Sequence, residues 1–199
     1  MVDVAVIEIV KQIDAYLKNL SASNEEELML GNISQLESAQ DSSGQTLKNR
    51  LIASVVKIEQ EFTLRNANTN QQALDNSGKP VNLKRRPDLH LNFFVLFAAN
   101  YAHSQYEEGL KKISHLITFF QRRNVFTPAN TPPFGVANID KLIWELHPMS
   151  FEELNHLWSI NGGKYLPSVL YKVRMVLIED INPAETEVIT EVGATPEPI

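Results

Sequence analysis

The stretch Leu91-Asn-Phe-Phe-Val-Leu-Phe-Ala-Ala-Asn-Tyr101 restricts the fold more than any other part of the chain. Taken with period two from Asp88, it puts Leu89, Leu91, Phe93, Val95, Phe97 and Ala99 on one face. The other face is also largely apolar from Phe94 to Ala98. A strand with no polar face reads as a central one, covered on both sides. The 199 residues allow one ordinary domain rather than two, and a chain of that size buries enough surface to fold without staples. None of them is cysteine, so disulfides and thiolate metal sites are excluded.

The flanking segments supply partners for that strand. Val6, Val10, Ile13, Leu17 and Leu20 recur at steps of four and three, which predicts an amphipathic helix over residues 3–20. Leu28 to Ile33 reads as a short strand ending at Gly31, and residues 34–47 as an exposed loop. Arg50 to Asn66 alternates, with Ile52, Val56, Ile58, Phe62 and Leu64 on one face. This predicts a strand buried on one face and long enough to contain a bulge. Ala67 to Pro87, rich in Asn and Gln with a turn at Ser77-Gly78, reads as a long loop.

Ser104 and Glu107 form a capping-box pattern. A helix then follows to about Arg123, with Tyr106, Leu110, Ile113, Ile117 and Phe120 as its stripe. Val125 to Gly135, with three prolines, reads as an irregular connection, and Leu142 to Leu146 as a short strand. Met149 to Asn161 predicts a third helix, opened by Ser150-x-x-Glu153 and stopped by Gly162-Gly163. Val169 to Ile178 reads as the last core strand. The expected class is therefore α+β, a mixed and mostly antiparallel sheet with helices packed on it. Residues 1–181 would form one domain, and the Pro-, Glu- and Thr-rich residues 182–199 an exposed or partner-docked tail.

Chemistry is thinly represented. No Gly-rich phosphate loop, nucleophile elbow or His-Glu-x-x-His motif occurs. His103 and Glu107 sit four apart with His115 further along, too few ligands for a metal without others arriving from elsewhere. His147 and His156 flank the start of the third helix and read as surface or half-buried imidazoles. Glu152 and Glu153 are adjacent, so they do not face each other and read as first-turn acids. Glu25, Glu26 and Glu27 read as a solvated turn. A net charge of −6 argues against general nucleic-acid binding. The first residues lack the basic region and compact apolar run of a signal peptide. No apolar run approaches the ~20 residues of a membrane span. The expectation is a non-enzymatic, cofactor-free and cytoplasmic protein with no membrane insertion. Lys84, Arg85 and Arg86 form the one basic cluster, read as a solvated loop end or as a contact to an acidic neighbouring subunit.

Two segments carry a family resemblance: Phe151-Glu-Glu-Leu-Asn-His-Leu-Trp158, and Gly162-Gly-Lys-Tyr-Leu-Pro-Ser-Val-Leu-Tyr-Lys-Val-Arg174. Together with Leu91 to Tyr101, Tyr106-Glu-Glu-Gly-Leu-Lys-Lys-Ile and Ile117-Thr-Phe-Phe-Gln121 leading to Val125-Phe-Thr127, they resemble the cap, or tail-terminator, family of contractile injection systems. The systems concerned are of the anti-feeding-prophage and virulence-cassette kind. The likeness runs over roughly residues 3–180 and carries Phe151, Leu154, Asn155, Leu157, Trp158, Gly162, Gly163, Tyr165, Pro167 and Tyr171 as its signature. It implies a tail-terminator-like fold and a structural subunit of a six-membered ring that ends the inner tube and holds the sheath end, first in the cytoplasm and then on the particle. The partners implied are copies of itself, the tube protein and the sheath protein. An adaptor that recruits an effector or envelope component is the alternative reading. The signature residues themselves read as core, helix stop and strand, with Phe151, Leu154, Leu157 and Trp158 on one apolar helix face.

Overall fold

Ala5, Val6, Ile9, Val10, Ile13 and Leu17 are buried along one side of the first helix, α1 (Val2–Ser21). The computed structural model describes residues 2–35, 48–61, 70–74, 80–84, 90–177 and 184–186. After α1 come β1 (Leu28–Leu30), a 3-10 turn (Ile33–Gln35), β2 (Arg50–Gln60), β3 (Asn70–Leu74), β4 (Pro80–Lys84) and β5 (Leu91–Asn100). A second 3-10 turn (His103–Gln105) leads into α2 (Tyr106–Arg122), β6 (Val125–Phe126), α3 (Pro133–Val136) and β7 (Ile139–His147). The described chain closes with α4 (Phe151–Ile160), β8 (Ser168–Leu177) and β9 (Ala184–Thr186).

Six strands form one sheet in the order β1-β2-β5-β8-β7-β6, and β3, β4 and β9 form a second, smaller one. In the large sheet only β1 and β2 run parallel; every other neighbouring pair is antiparallel. The class is α+β, as the sequence predicts, and β5 lies inside the sheet with every residue from Asn92 to Ala99 buried.

The alternation of β5 divides the core in two. Phe93, Val95, Phe97 and Ala99 join the cluster under α1 and α2, with Leu116, Phe119, Phe120, Trp144 and Tyr171. Phe94, Leu96 and Ala98 join Ile33, Ile52, Leu170 and Trp158 under α4. The first cluster is dense in rings. Phe120 stacks on Trp144 at 4.9 Å and lies 4.4 Å from Tyr171, while Phe97 meets Tyr171 edge-on at 5.8 Å. Such contacts add ~0.5–1.5 kcal/mol per pair beyond the area they bury.

Polar ties fasten the helices to the sheet. Asp14 on α1 accepts from the backbone N–H of Glu27 at 2.8 Å and of Leu28 at 3.1 Å, which fixes the start of β1. Its other oxygen pairs with Lys18 at 2.7 Å. Glu27 in turn meets the ammonium of Lys112, on α2, at 2.8 Å, and accepts from Ser21 Oγ at 2.7 Å. Lys112 is buried despite its charge, and the ion pair is what makes that tolerable. One turn earlier, Gly109 leaves room for Tyr101, whose ring would stand 2.9 Å from any added Cβ.

Several expectations need correction. Residues 67–87 are not one long loop: Asn70–Leu74 pairs with Pro80–Lys84 in antiparallel register. The Asn and Gln content hid this, because those residues have weak strand preference and the pairing is made by the backbone. Leu51 to Ser54 are buried in succession, so β2 is not a one-faced strand there. A register shift between Val55 and Lys57 also moves Ile58 to the face of Phe93 while Ile52 shares the face of Ala98. A bulge adds one residue and reverses the alternation beyond it.

At α2 the 3-10 turn takes the place of the expected Ser104 cap, and no side chain caps the helix. Its buried stripe is Gly109, Lys112, Ile113, Leu116, Phe119 and Phe120, whereas Tyr106 and Leu110 are exposed. The connection after Arg123 holds β6 and α3, and β7 is longer than the expected Leu142–Leu146. Leu20, counted in the α1 stripe, is also exposed.

Two stability predictions follow from this packing. Trp158 is 4% exposed and Phe151 92% exposed on the same helix. Trp158→Ala is expected to cost about 3–5 kcal/mol, while Phe151→Ser stays within about 0.5 kcal/mol of wild type; urea unfolding of the two variants checks the contrast. Burial pushes the Tyr171 hydroxyl from an ordinary 10.0 up to about 12. The fold thus favours the neutral phenol. Stability from this group is full below its unfolded value and is lost as the pH rises through the folded one. Tyr171→Phe should therefore lose less stability than wild type between pH 10 and about 12, followed by circular dichroism.

Candidate functional site

The segment that carries the family signature is built from α4 outward. Ser150 adopts an extended backbone, its side chain accepts from the Glu153 N–H at 3.2 Å, and Glu153 accepts from the Ser150 N–H at 2.8 Å. This reciprocal cap holds the Glu153 carboxyl below the usual range, chiefly through the Ser150 backbone bond. Its contribution to stability is therefore present at neutral pH and lost as the pH falls through that depressed value.

At the other end Asn161 donates its backbone and side-chain N–H to the Leu157 carbonyl, at 3.2 and 2.7 Å. Gly163 N–H returns to Trp158 O at 2.7 Å. Gly162 and Gly163 take φ of 98° and 76°, a region that glycine enters without the Cβ penalty. The Pro167 carbonyl then accepts from Ala99 N–H at 2.9 Å and lays β8 along β5.

Leu154, Leu157 and Trp158 turn toward the sheet, and Tyr165 meets the Trp158 ring edge-on at 5.8 Å. Phe151 does not join them, and Asn155 is exposed, so the expected four-residue apolar face is a three-residue one. Tyr171 belongs to the opposite cluster, under α2.

Two clefts flank α4. One, of about 460 Å³, is lined by Ile33, Lys48, Asn100, Trp158, Asn161 and Leu166 among others. The second, of about 310 Å³, lies between Val56, Phe94, Met149, Leu157 and Leu170, with Lys57, His147 and Glu153 at its polar margin. There His147 packs edge-on to Phe94 at 5.2 Å.

The other titratable candidates do not converge. Glu107 pairs with Lys111 at 3.0 Å, His103 lies in a 3-10 turn, and His156 is exposed. Among the described residues no three His, Cys, Asp or Glu side chains gather as metal ligands, and no helix is long and apolar enough to cross a membrane. Lys84 ends β4, opposite Asn70 and Ala184, while Arg85 and Arg86 lie outside the described residues. Of the tail, Ala184–Thr186 pairs with β4.

Sequence reasoning overlooked the bare apolar side chains. Val136 is 90% exposed and Ile160 81% exposed. Each lies two positions after a buried residue, Phe134 and Trp158 respectively, so its helix turns it to the far side from the core. At the end of α2, Arg123 lies over the rings of Phe119 and Phe126 at 5.9 and 5.4 Å.

Comparison with solved structures shows the same fold twice. One structure is described as the sheath/tube terminator, in the extended state, of an extracellular contractile injection system. It is similar with a TM-score of 0.50 and 15% identity over 98% of this chain and 64% of its own. A second, described as the tube-terminating cap of the anti-feeding prophage, has a TM-score of 0.53 and 14% identity over 100% of this chain and 62% of its own. This chain thus spans a little under two thirds of the length of either structure. No curated protein matches the sequence. A family model does, from residue 6 to residue 191, across α1, both core clusters and the α4 signature, and the chain belongs to the Pvc16 N-terminal domain family.

Proposed function

We propose that this chain is a structural cap subunit of a contractile injection system. One observation carries the reading: its family match runs from residue 6 to 191, and the same fold occurs in a sheath/tube terminator and in a tube-terminating cap. The action is by shape and contact, not by covalent chemistry. Copies assemble as a ring, six-membered as the resemblance implies, on the last layer of the inner tube. The ring stops tube growth and holds the end of the sheath.

In this reading residues 1–181 act as the cap domain, and the tail, apart from Ala184–Thr186 that pairs with β4, is exposed or docks on a neighbour. Lys84, Arg85 and Arg86 meet an acidic surface of the tube or sheath, and guanidinium forks suit carboxylates. The subunit is made in the cytoplasm, neither enters a membrane nor binds nucleic acid, and leaves as part of the particle.

Electron microscopy of particles produced without this chain tests the proposal. Tubes of uneven length and unanchored sheaths are expected. Tubes of normal, uniform length inside intact sheaths would overturn it.

A further inference from the structure

The cap reading requires copies of this chain to meet one another, and the fold presents two unlike surfaces for it. On the α4 layer, Phe151 is 92% and Ile160 81% exposed. Between them Glu152 is exposed and has no ion-pair partner among the described residues. Its neighbour Glu153 is committed to the helix cap. The outer side of α4 thus offers one unpaired carboxylate next to a bare aromatic ring.

The complementary surface lies across the sheet. Of the described cations, Lys11, Lys18, Arg50, Lys57, Lys111, Lys112 and Arg174 sit in ion pairs. At the end of α2, Arg122, like Lys48, is exposed with no acidic partner among the described residues. Arg123 beside it rests on two aromatic rings, which keeps the guanidinium at the surface. Val125, the first residue of the edge strand β6, is 38% exposed alongside.

We propose that the contact between cap subunits is heterologous: the outer side of α4 on one copy seats on the α2–β6 corner of the next. Glu152 meets Arg122, and Phe151 covers Val125. The two surfaces belong to opposite layers, α4 on one face of the sheet and α2 on the other. Each copy therefore offers its second surface to a further copy. A head-to-tail contact of this kind propagates and closes into a ring when the rotation allows, whereas a self-complementary patch stops at a dimer. The inference rests on the cap reading for the presence of several copies at one tube end.

The absence of cysteine makes the test direct, because Glu152→Cys and Arg122→Cys in one chain introduce its only two thiols. Particles assembled with this double variant are treated with a short bismaleimide and run on a denaturing gel. A ladder of covalent dimers, trimers and larger species is expected from the double variant, and no covalent dimer from either single variant. A dimer from Glu152→Cys alone would show a self-complementary α4 face and overturn the proposal. So would a double variant that is present on particles yet stays monomeric on the gel. Wild-type chain missing from particles would instead overturn the cap reading. As a second arm, Glu152→Arg should lower occupancy of the chain on particles at least tenfold, and adding Arg122→Glu should restore it. Loss in both single variants without recovery in the pair also overturns the contact.

Discussion

A strand with no polar face has to be roofed twice, and β5 is such a strand. From Phe93 to Ala99 its residues alternate between two apolar clusters. Neither cluster can be left open to water without exposing several large side chains, each worth ~1.5–3 kcal/mol when buried. The helices are distributed accordingly. α1 and α2 close the face of Phe93, Val95 and Phe97, and α4 with the first 3-10 turn closes the face of Phe94, Leu96 and Ala98. The two roofs are unequal. On one side α1 brings Ile9, Ile13 and Leu17 and α2 brings Leu116, Phe119 and Phe120, while α4, at 10 residues, brings Leu154, Leu157 and Trp158 to the other. The clefts on either side of α4 are the consequence of covering a wide face with a short helix.

Apolar burial alone does not say where along the sheet each helix sits. That is the role of the chain from Asp14 through Glu27 to Lys112. Asp14 binds two consecutive backbone N–H groups at the start of β1, and Glu27, between them, carries the ion pair to α2. Replacing the buried pair by apolar residues of the same size could cost little stability. Removing Glu27 leaves the buried ammonium only the longer contact to Glu108, 3.7 Å away on its own helix, so the native docking of α1, β1 and α2 satisfies Lys112 best. Gly109 adds a steric condition to the electrostatic one, since Tyr101 fills the space that a larger residue would need.

Much of this was legible in the sequence, for reasons that differ by element. α1 and β5 are readable because a single period runs through each and every large apolar residue of β5 after Leu91 is buried. The α4 boundaries were readable because capping is local chemistry: Ser150, Glu153 and Gly162-Gly163 act within a few residues of one another. Where tertiary context decides, the sequence misleads. The bulge in β2 reverses the face of Ile58, and no residue type announces it. Lys112 looks like a solvated charge, and only its distance to Glu27, 85 positions away in the chain, explains its burial. The β3–β4 pairing is carried by the backbone of a polar segment. Of the site, the signature residues were visible and their roles were not. Phe151 was read with Trp158 as one apolar face, but the sheet beneath α4 extends under only one of them.

The bare Phe151 follows from the same short roof. It is the first residue of α4, directly after the Ser150 cap. Side chains on a helix lean toward the N-terminus, so at this position the ring is directed past the start of the helix rather than down onto the sheet. Three and six positions on, Leu154 and Leu157 have β5 and β8 residues below them, at Phe94 and Leu170. The reciprocal cap between Ser150 and Glu153 sets the start of α4 at Phe151. The local sequence thus fixes the helix start where the cap chemistry is good and leaves the ring uncovered. An apolar side chain exposed by the geometry of its own helix cannot be repacked by a rotamer change. In the proposed ring the cover comes from a neighbouring copy, so that one residue would serve both the fold signature and the contact surface.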